Sequence, residues 1–173
     1  IHQIDPDIVG LVEVDGGSFR TGRKSQSSQI AEELGYQSIG DTKYGSGTMF
    51  KCMPLLKSQG NAILSRLPII SHRFHYFNEG VKRLIIQVCT EQLTVFLVHL
   101  SLTYRNRQYQ LEHLYRYISQ VKRPVILAGD FNVLWGSREM ELFLAATGLA
   151  SANIEKRPSH PSSEPKRELD FIL

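Results

Sequence analysis

The sequence predicts an α/β (α+β) fold in which a mixed β-sheet packs with helices. Three observations lead to this prediction. The length of 173 residues suits one domain, and 42% of the residues are hydrophobic and 21% charged. Helical patterns also stand between strand-like runs, some of which look joined as hairpins. The hydrophobic and charged fractions are close to the average of globular proteins and exclude disordered, collagen-like and coiled-coil proteins.

The first half of the chain predicts strands separated by polar loops and one short helix. The helix places Ile30, Ala31 and Leu34 on one face, and Gly35 ends it. In chain order, the elements predicted here are a strand over 7–14, a loop over 15–28, the helix over 29–34, and strands over 48–53 and 61–65.

The second half contains the clearest helical pattern, residues 105–121. Its apolar side chains fall at i, i+3, i+4, i+7 and i+10, and the stripe consists of Leu111, Leu114, Tyr115, Ile118 and Val121. A second helix is predicted over 137–147, with Ser137 as its N-cap and Gly148 past its end. The other elements are strands over 81–90 and 93–100 joined at 91–92, a strand over 124–128, a loop over 151–168 and a strand over 169–173.

Charge and cysteine content narrow the classes of function only slightly. The net charge of +3 tolerates a phosphate-bearing partner but does not demand one. No apolar run approaches the roughly 20 residues of a membrane span, so no transmembrane segment is expected. Cys52 and Cys89 lie in apolar runs, which favours two buried thiols over a disulfide, and their spacing does not suggest zinc.

Isolated polar residues in or after apolar strands are the candidates for chemistry: Glu13, His99, Asp130, Asn132 and Asp170. Each alone has a plain structural explanation. A lone acid after a strand is commonly a turn residue, a His inside an apolar run such as His99 is commonly a satisfied core histidine, and Asp130 with Asn132 can form an Asx-turn. Together they suggest more, because clustered carboxylates are tolerated mainly around a cation. An all-oxygen ligand set selects a hard ion such as Mg²⁺ or Mn²⁺.

The segment Gly129-Asp130-Phe131-Asn132 resembles the GDFN signature of the endonuclease/exonuclease/phosphatase superfamily, which has the DNase I-like fold. Four further segments resemble the family in the same order: residues 6–14, 60–69, 98–111 (with His99, Arg107 and Gln110) and 167–173. The resemblance implies two packed mixed β-sheets flanked by helices in a four-layer sandwich.

The sequence departs from the family pattern at three places. Val12 stands where the family usually has Gln before the acidic residue. An Asn-bearing strand would precede Ile1, and a Ser-Asp-His motif would follow Leu173. We therefore expect residues 1–173 to be a single domain of this superfamily that lacks terminal strands at both ends.

The resemblance also implies roles for individual residues. Glu13 would be the metal ligand, with Mg²⁺ or Mn²⁺ as cofactor. Asp130 would orient or deprotonate the attacking water, and Asn132 would hydrogen-bond the phosphate or the nucleophile. His99 would contact the phosphate or protonate the leaving oxygen, and Asp170 would orient the C-terminal His of the family.

Two further groups have open alternatives. Arg20, Arg23 and Lys24 could grip substrate phosphates or form a solvated basic loop, and Asn61 could bind substrate or serve strand-end hydrogen bonding.

The activity implied is metal-dependent hydrolysis of a phosphodiester or phosphomonoester by in-line attack of water. The substrate is a phosphate ester, either nucleic acid or a small or lipid phosphodiester. The alternative is a non-catalytic binding or scaffold domain that retains the fold.

Overall fold

The computed structural model describes residues 1, 3–16, 25–42 and 59–173. Its strands are β1 (Ile8–Asp15), β2 (Gln37–Thr42), β3 (Gln59–Ser65), β4 (Ser71–Tyr76), β5 (Leu84–Cys89), β6 (Thr94–His99), β7 (Val125–Asp130) and β8 (Asp170–Ile172). Its helices are α1 (Gln26–Leu34), α2 (Tyr104–Ile118) and α3 (Glu141–Thr147), the last preceded by a 3₁₀ turn over Ser137–Met140.

The strands form two sheets. The first has the order β1-β3-β2, and its described pairs are antiparallel. The second has the order β4-β5-β6-β7-β8 and is mixed, because β6 and β7 run parallel while the other neighbours are antiparallel. The parallel pair follows from the connection through α2, since parallel strands need a crossover that a hairpin cannot supply.

Two clusters of buried side chains hold the layers together. One lies between the sheets and includes Ile63, Ile86 and Leu97. The other lies between the second sheet and the helices α2 and α3, and includes Leu114 and Phe143. Since α1 contacts β1 and β2 on the first sheet, the order of layers is α1, first sheet, second sheet, then α2 with α3. Among the described residues, no helix is both long and apolar enough to cross a membrane.

The helices confirm the predicted patterns with shifted ends. Helix α1 begins at Gln26 rather than at 29, because the Ser25 hydroxyl accepts the Ser28 N–H at 3.4 Å and caps it. It ends as predicted, with Gly35 in the left-handed region at φ 69°. Helix α2 covers Tyr104–Ile118 rather than 105–121, and Tyr115 in its predicted apolar stripe is 41% exposed.

The N-cap predicted at Ser137 is wrong. Ser137 is the first residue of the 3₁₀ turn, Gly136 precedes it at φ 98°, and no side chain in the described part of the chain caps the turn. The α-helical part starts only at Glu141, and Gly148 follows its end in the left-handed region as predicted.

Two strands were not predicted from the sequence, β2 and β4. Both lie at sheet edges, where half-polar sequences are tolerated. The strand predicted over 48–53 falls outside the described residues, as does Cys52. Cys89 is a free thiol that is half-buried rather than fully buried.

Candidate active site

Three of the candidate residues lie in one row across the second sheet. His99 is the register partner of Asp130 on the parallel strand β7, and Asp130 is the partner of Asp170 on β8. Register partners project from the same face of a sheet. The row lies where β6 and β7 end and β8 begins. The imidazole of His99 and the two carboxylates therefore lie together at one end of these strands.

Asp130 joins a turn to this row. Its Oδ1 accepts the Asn132 N–H at 2.9 Å, which is the Asx-turn, and its Oδ2 lies 3.1 Å from His99 Nε2. Burial works to raise the pKa of Asp130, but the His99 hydrogen bond and charge, the Asn132 N–H and the Lys82 charge outweigh it and lower the pKa below its ordinary value. The carboxylate is therefore ionised at neutral pH. The turn explanation and the site explanation of Asp130 hold together.

His99 is buried but is not a satisfied core histidine. Its Nδ1 is shielded from solvent and has no hydrogen-bond partner among the described residues. Glu13 Oε1 lies 3.8 Å from this nitrogen, within ion-pair range but beyond a hydrogen bond. A buried ring nitrogen without a partner is costly, which suggests that a further group completes its contacts.

A β-bulge in the first sheet delivers Glu13 to the same place. Leu11 pairs with Ala62 and Val14 with Gly60, so Val12 and Glu13 lie opposite the single residue Asn61. Glu13 adopts φ 58°, which is unusual for a residue with a long side chain, and its N–H faces Asn61 Oδ1 at 3.3 Å. The bulge re-aims the carboxylate toward the second sheet, a common use of bulges next to active sites.

The turn after β7 depends on a glycine and on Asn132. Gly129 has φ 143°, and a Cβ there would overlap the Val98 carbonyl oxygen of the neighbouring strand. Asn132 is buried at φ 51°, a conformation that Asn tolerates, and its Nδ2 donates to the Leu100 carbonyl at 3.0 Å. Asn132 therefore ties the turn after β7 to the end of β6.

Lys82 is a member of the site that sequence reasoning missed. Its Nζ contacts His99 Nε2 and lies 3.9 Å from Glu13 Oε1. A single Lys in a polar loop gives no distinctive pattern. The only available signal was its place two residues before the apolar run of β5, in line with the other strand-end candidates.

Two buried polar residues of α2 hold three loops of the site. Gln110 accepts the Ser101 N–H at 2.8 Å and donates to the carbonyls of Glu79 and Lys82 at 3.1 and 2.9 Å. Arg107 donates to the Ser101 and Leu102 carbonyls at 3.0 and 2.8 Å and pairs with Glu139 at 2.6 Å. The loops that carry Lys82, follow His99 and follow Asn132 are thus fixed to one helix. The sequence showed Arg107 and Gln110 only as part of a family resemblance, without this role.

Asp170 lies in the row with Asp130, but its surroundings differ from those of His99 and Asp130, as do those of Asn61. Asp170 is exposed, its N–H donates to Ser159 Oγ at 3.2 Å, and with Gly10 and Val12 it lines a cavity of about 510 Å³ between the sheets. Asn61 is buried under Glu13 and borders a second, more polar cavity. Arg20, Arg23 and Lys24 lie outside the described residues.

The side chains around Glu13 limit which metal they can hold. Within residues 1, 3–16, 25–42 and 59–173, no three His, Cys, Asp or Glu side chains have the arrangement of a metal cluster. These described residues therefore form no structural zinc site, which needs four protein ligands. Mg²⁺ often takes only one or two carboxylates and completes its octahedron with waters and substrate phosphate. The Glu13 carboxylate, 46% exposed, fits that second kind of site.

Comparison with known proteins agrees with this geometry. The model of the Endonuclease/Exonuclease/phosphatase family matches residues 1–173. No curated protein sequence matches the chain.

Three solved structures illustrate the likeness. The catalytic domain of human Nocturnin with bound sulfate is 22% identical, with TM-score 0.67 and coverage of 99% of this chain and 70% of that chain. Sphingomyelinase C from Streptomyces griseocarneus is 19% identical, with TM-score 0.66 and coverage of 96% and 70%. An endonuclease/exonuclease/phosphatase family protein from Bacteroides thetaiotaomicron is 18% identical, with TM-score 0.71 and coverage of 99% and 68%. At these identities the likeness shows the fold, and the predicted DNase I-like class is confirmed.

Proposed function

Because the chain belongs to the endonuclease/exonuclease/phosphatase family, we propose that it is a metal-dependent phosphoesterase that hydrolyses a phosphodiester or phosphomonoester by in-line attack of water. The observation that carries this proposal is the environment of His99. Its buried ring lies between the carboxylates of Glu13 and Asp130, and its Nδ1 has no hydrogen-bond partner among the described residues. Such a group is prepared for a ligand, and perturbed ionisable clusters are typical of catalytic sites.

Glu13 is the proposed metal ligand. A divalent ion, Mg²⁺ or Mn²⁺, held there would polarise a phosphate oxygen and stabilise charge on the leaving group. The exposed carboxylate leaves room for waters and for the substrate in the same coordination shell. The backbone contact with Asn61 Oδ1 fixes the bulge that aims Glu13, so Asn61 is proposed to position the ligand rather than to touch the substrate.

Asp130 is proposed to orient the attacking water. Its lowered pKa makes it a weak base at neutral pH, so orientation rather than full proton abstraction is the better-supported role. Asn132 holds Asp130 through its N–H and, beyond the Nδ2 bond to Leu100, offers its amide to the phosphate or the water. His99 is proposed to contact the phosphate or to protonate the leaving oxygen, since its ring lies between the carboxylates of Glu13 and Asp130.

The roles of Asp170 and the basic loop rest on the family resemblance. Asp170 lies in register with Asp130 and is proposed to orient a histidine supplied after Leu173. Arg20, Arg23 and Lys24 are proposed to bind further substrate phosphates. The substrate is proposed as a class, a phosphate ester, because the named relatives include a sphingomyelinase as well as Nocturnin.

Hydrolysis of bis-p-nitrophenyl phosphate and p-nitrophenyl phosphate by the longest natural form of the chain tests this proposal. Activity should require Mg²⁺ or Mn²⁺ and should disappear with EDTA. Asp130→Asn keeps the side-chain volume and should lower the rate about 10²–10³-fold, the usual effect of removing one well-placed polar group. The control Asp7→Asn changes an exposed carboxylate that pairs with Arg66, and it should leave the rate unchanged.

Two results would contradict the proposal. Undiminished hydrolysis in chelator would exclude the metal-dependent mechanism. A folded protein that binds phosphate but hydrolyses neither ester with either metal would favour the binding or scaffold alternative.

A further inference from the structure

We propose that Lys82 is a phosphate-binding residue of the candidate active site, whose ammonium exchanges its contacts with Glu13 and His99 for the substrate phosphate when a divalent ion binds. This inference rests on the proposed function and adds a cation that neither the sequence pattern nor the family match assigns. In this proposal the Lys82 ammonium interacts with the carboxylates of Glu13 and Asp130 before the divalent ion binds near the same carboxylates.

The backbone around Lys82 is held from two sides. The Lys82 carbonyl accepts from Gln110 Nε2 at 2.9 Å. Its neighbour Arg83 closes the loop, because Arg83 Nε donates to the Phe77 carbonyl at 2.6 Å and the Phe77 N–H donates to the Arg83 carbonyl at 2.8 Å. A lysine whose side chain is 19% exposed on so fixed a loop is delivered to one place rather than sampling the surface.

The ammonium lies among the groups that the reaction would use. It contacts His99 Nε2, is 3.9 Å from Glu13 Oε1, and acts on the charge of Asp130. In this arrangement Lys82 neutralises carboxylates that would otherwise repel each other. A divalent ion at Glu13 would meet a like charge, so the ammonium must move as the metal enters.

His99 Nε2 cannot accept a hydrogen bond from Lys82 and donate one to Asp130 at the same time. The Nε2 atom accepts from the ammonium only when it carries no proton, and donates to Asp130 Oδ2, 3.1 Å away, only when it carries one. The ammonium and Asp130 Oδ2 therefore compete for one ring nitrogen, and the contact with His99 is one that the ammonium can give up. The Lys82 ammonium has three N–H donors that need acceptors. A substrate phosphate bound next to His99 and Glu13 would bring acceptor oxygens within reach of these donors.

Binding measurements separate this role from a purely structural one. Lys82→Met should weaken binding of inorganic phosphate in the presence of Mg²⁺ by about tenfold or more and lower kcat/KM for bis-p-nitrophenyl phosphate about 10²-fold. The same variant should tighten Mg²⁺ binding without phosphate several-fold, measured by titration calorimetry, because a like charge near Glu13 is gone. Lys82→Arg should retain most phosphate binding. Lys122→Met, at an exposed lysine, is the charge-matched control and should change neither affinity.

The outcomes distinguish Lys82 from the proposed function. If Lys82→Met only lowers the unfolding temperature while phosphate binding and kcat/KM persist, Lys82 is a structural brace and the inference is wrong. Weaker Mg²⁺ binding in a folded Lys82→Met would equally overturn the exchange. If the unmodified protein binds Mg²⁺ and phosphate with the predicted effects of Lys82→Met but hydrolyses no ester, the inference stands and the proposed reaction is wrong. Should Lys82→Met not fold, Lys82→Gln and Lys82→Arg decide by the same affinities.

Discussion

The buried ion pair of Arg107 and Glu139 offers a sharp test of how the site is held. Both side chains are almost sealed from solvent, at 0% and 4% exposure, and two guanidinium nitrogens reach Glu139 Oε2 at 2.9 and 2.6 Å. Arg107→Met removes the charge but keeps most of the volume. Glu139 then stays in the interior without its cationic partner, and among the described residues its remaining hydrogen bond comes from the Trp135 N–H at 2.8 Å.

The expected cost follows from that burial. Breaking a buried pair by removing one partner costs about 3–5 kcal/mol, because the other charge stays uncompensated. The carbonyls of Ser101 and Leu102 also lose their donors, which works in the same direction. For a chain of this size the unfolding midpoint moves about 2–4 °C per kcal/mol, so a fall of roughly 6–20 °C is expected.

The free energy of unfolding of Arg107→Met is measured by denaturant unfolding followed by circular dichroism. Two other variants are compared with it. Arg116→Met breaks an ion pair with Glu112 whose side chains are 63% and 55% exposed, and it should cost no more than about 0.5 kcal/mol. The double variant Arg107→Met/Glu139→Met removes both charges of this buried pair and should recover much of the loss. An Arg107→Met variant as stable as Arg116→Met, or a double variant no more stable than Arg107→Met, would contradict the predicted cost of breaking the buried pair.

Three further outcomes are expected. Gly129→Ala should destabilise the chain severely, seen as a large fall in the unfolding midpoint or as insoluble protein, because its Cβ would overlap the Val98 carbonyl. Gly148→Ala after α3 meets no atom of the described residues within 4 Å and should cost far less. Acid titration of the free energy of unfolding should show the depressed pKa of Asp130. Its contribution is complete above the ordinary value of 3.8 and is lost as the pH falls below it through the folded-state pKa, so Asp130→Asn should flatten the curve there. Finally, Glu13→Gln should abolish any rise of the unfolding midpoint with Mg²⁺, while Glu112→Gln on an exposed helix face should keep it.

The sequence predicted best those elements whose own residues decide their structure. The apolar runs of β5 and β6 are buried on both faces, β7 is a short apolar run, and α2 carries a helical stripe, so composition and period were enough. The polar edge strands β2 and β4 could not be found this way. Sequences such as QSIGDT and SHRFHY become strands by pairing with β3 and β5, which is a property of the fold rather than of the segment.

Some residues of the candidate site could be predicted from their local sequence, and others could not. Glu13, His99, Asp130 and Asn132 stood out because polar residues interrupt or end apolar strands, and the structure brings them together. The bulge that aims Glu13 depends on its pairing with β3, so no local pattern announces it. Lys82 lies on a loop that is fixed in part by Gln110, which is 28 residues away, so no local pattern could place it in the site.

The attachment of three loops to α2 bears on the order in which the chain acquires its native contacts. Arg107 and Glu139 are 32 residues apart, so during synthesis the guanidinium leaves the ribosome well before its counter-charge does. A lone guanidinium cannot enter the interior at a tolerable cost, and until Glu139 arrives it must remain hydrated. Docking of α2 therefore waits for the segment after β7, and a nascent chain ending before residue 139 has neither a sealed helix nor an assembled site. In a polypeptide that folds in this order, the side chains of the candidate site come together only when nearly all of the second sheet has formed.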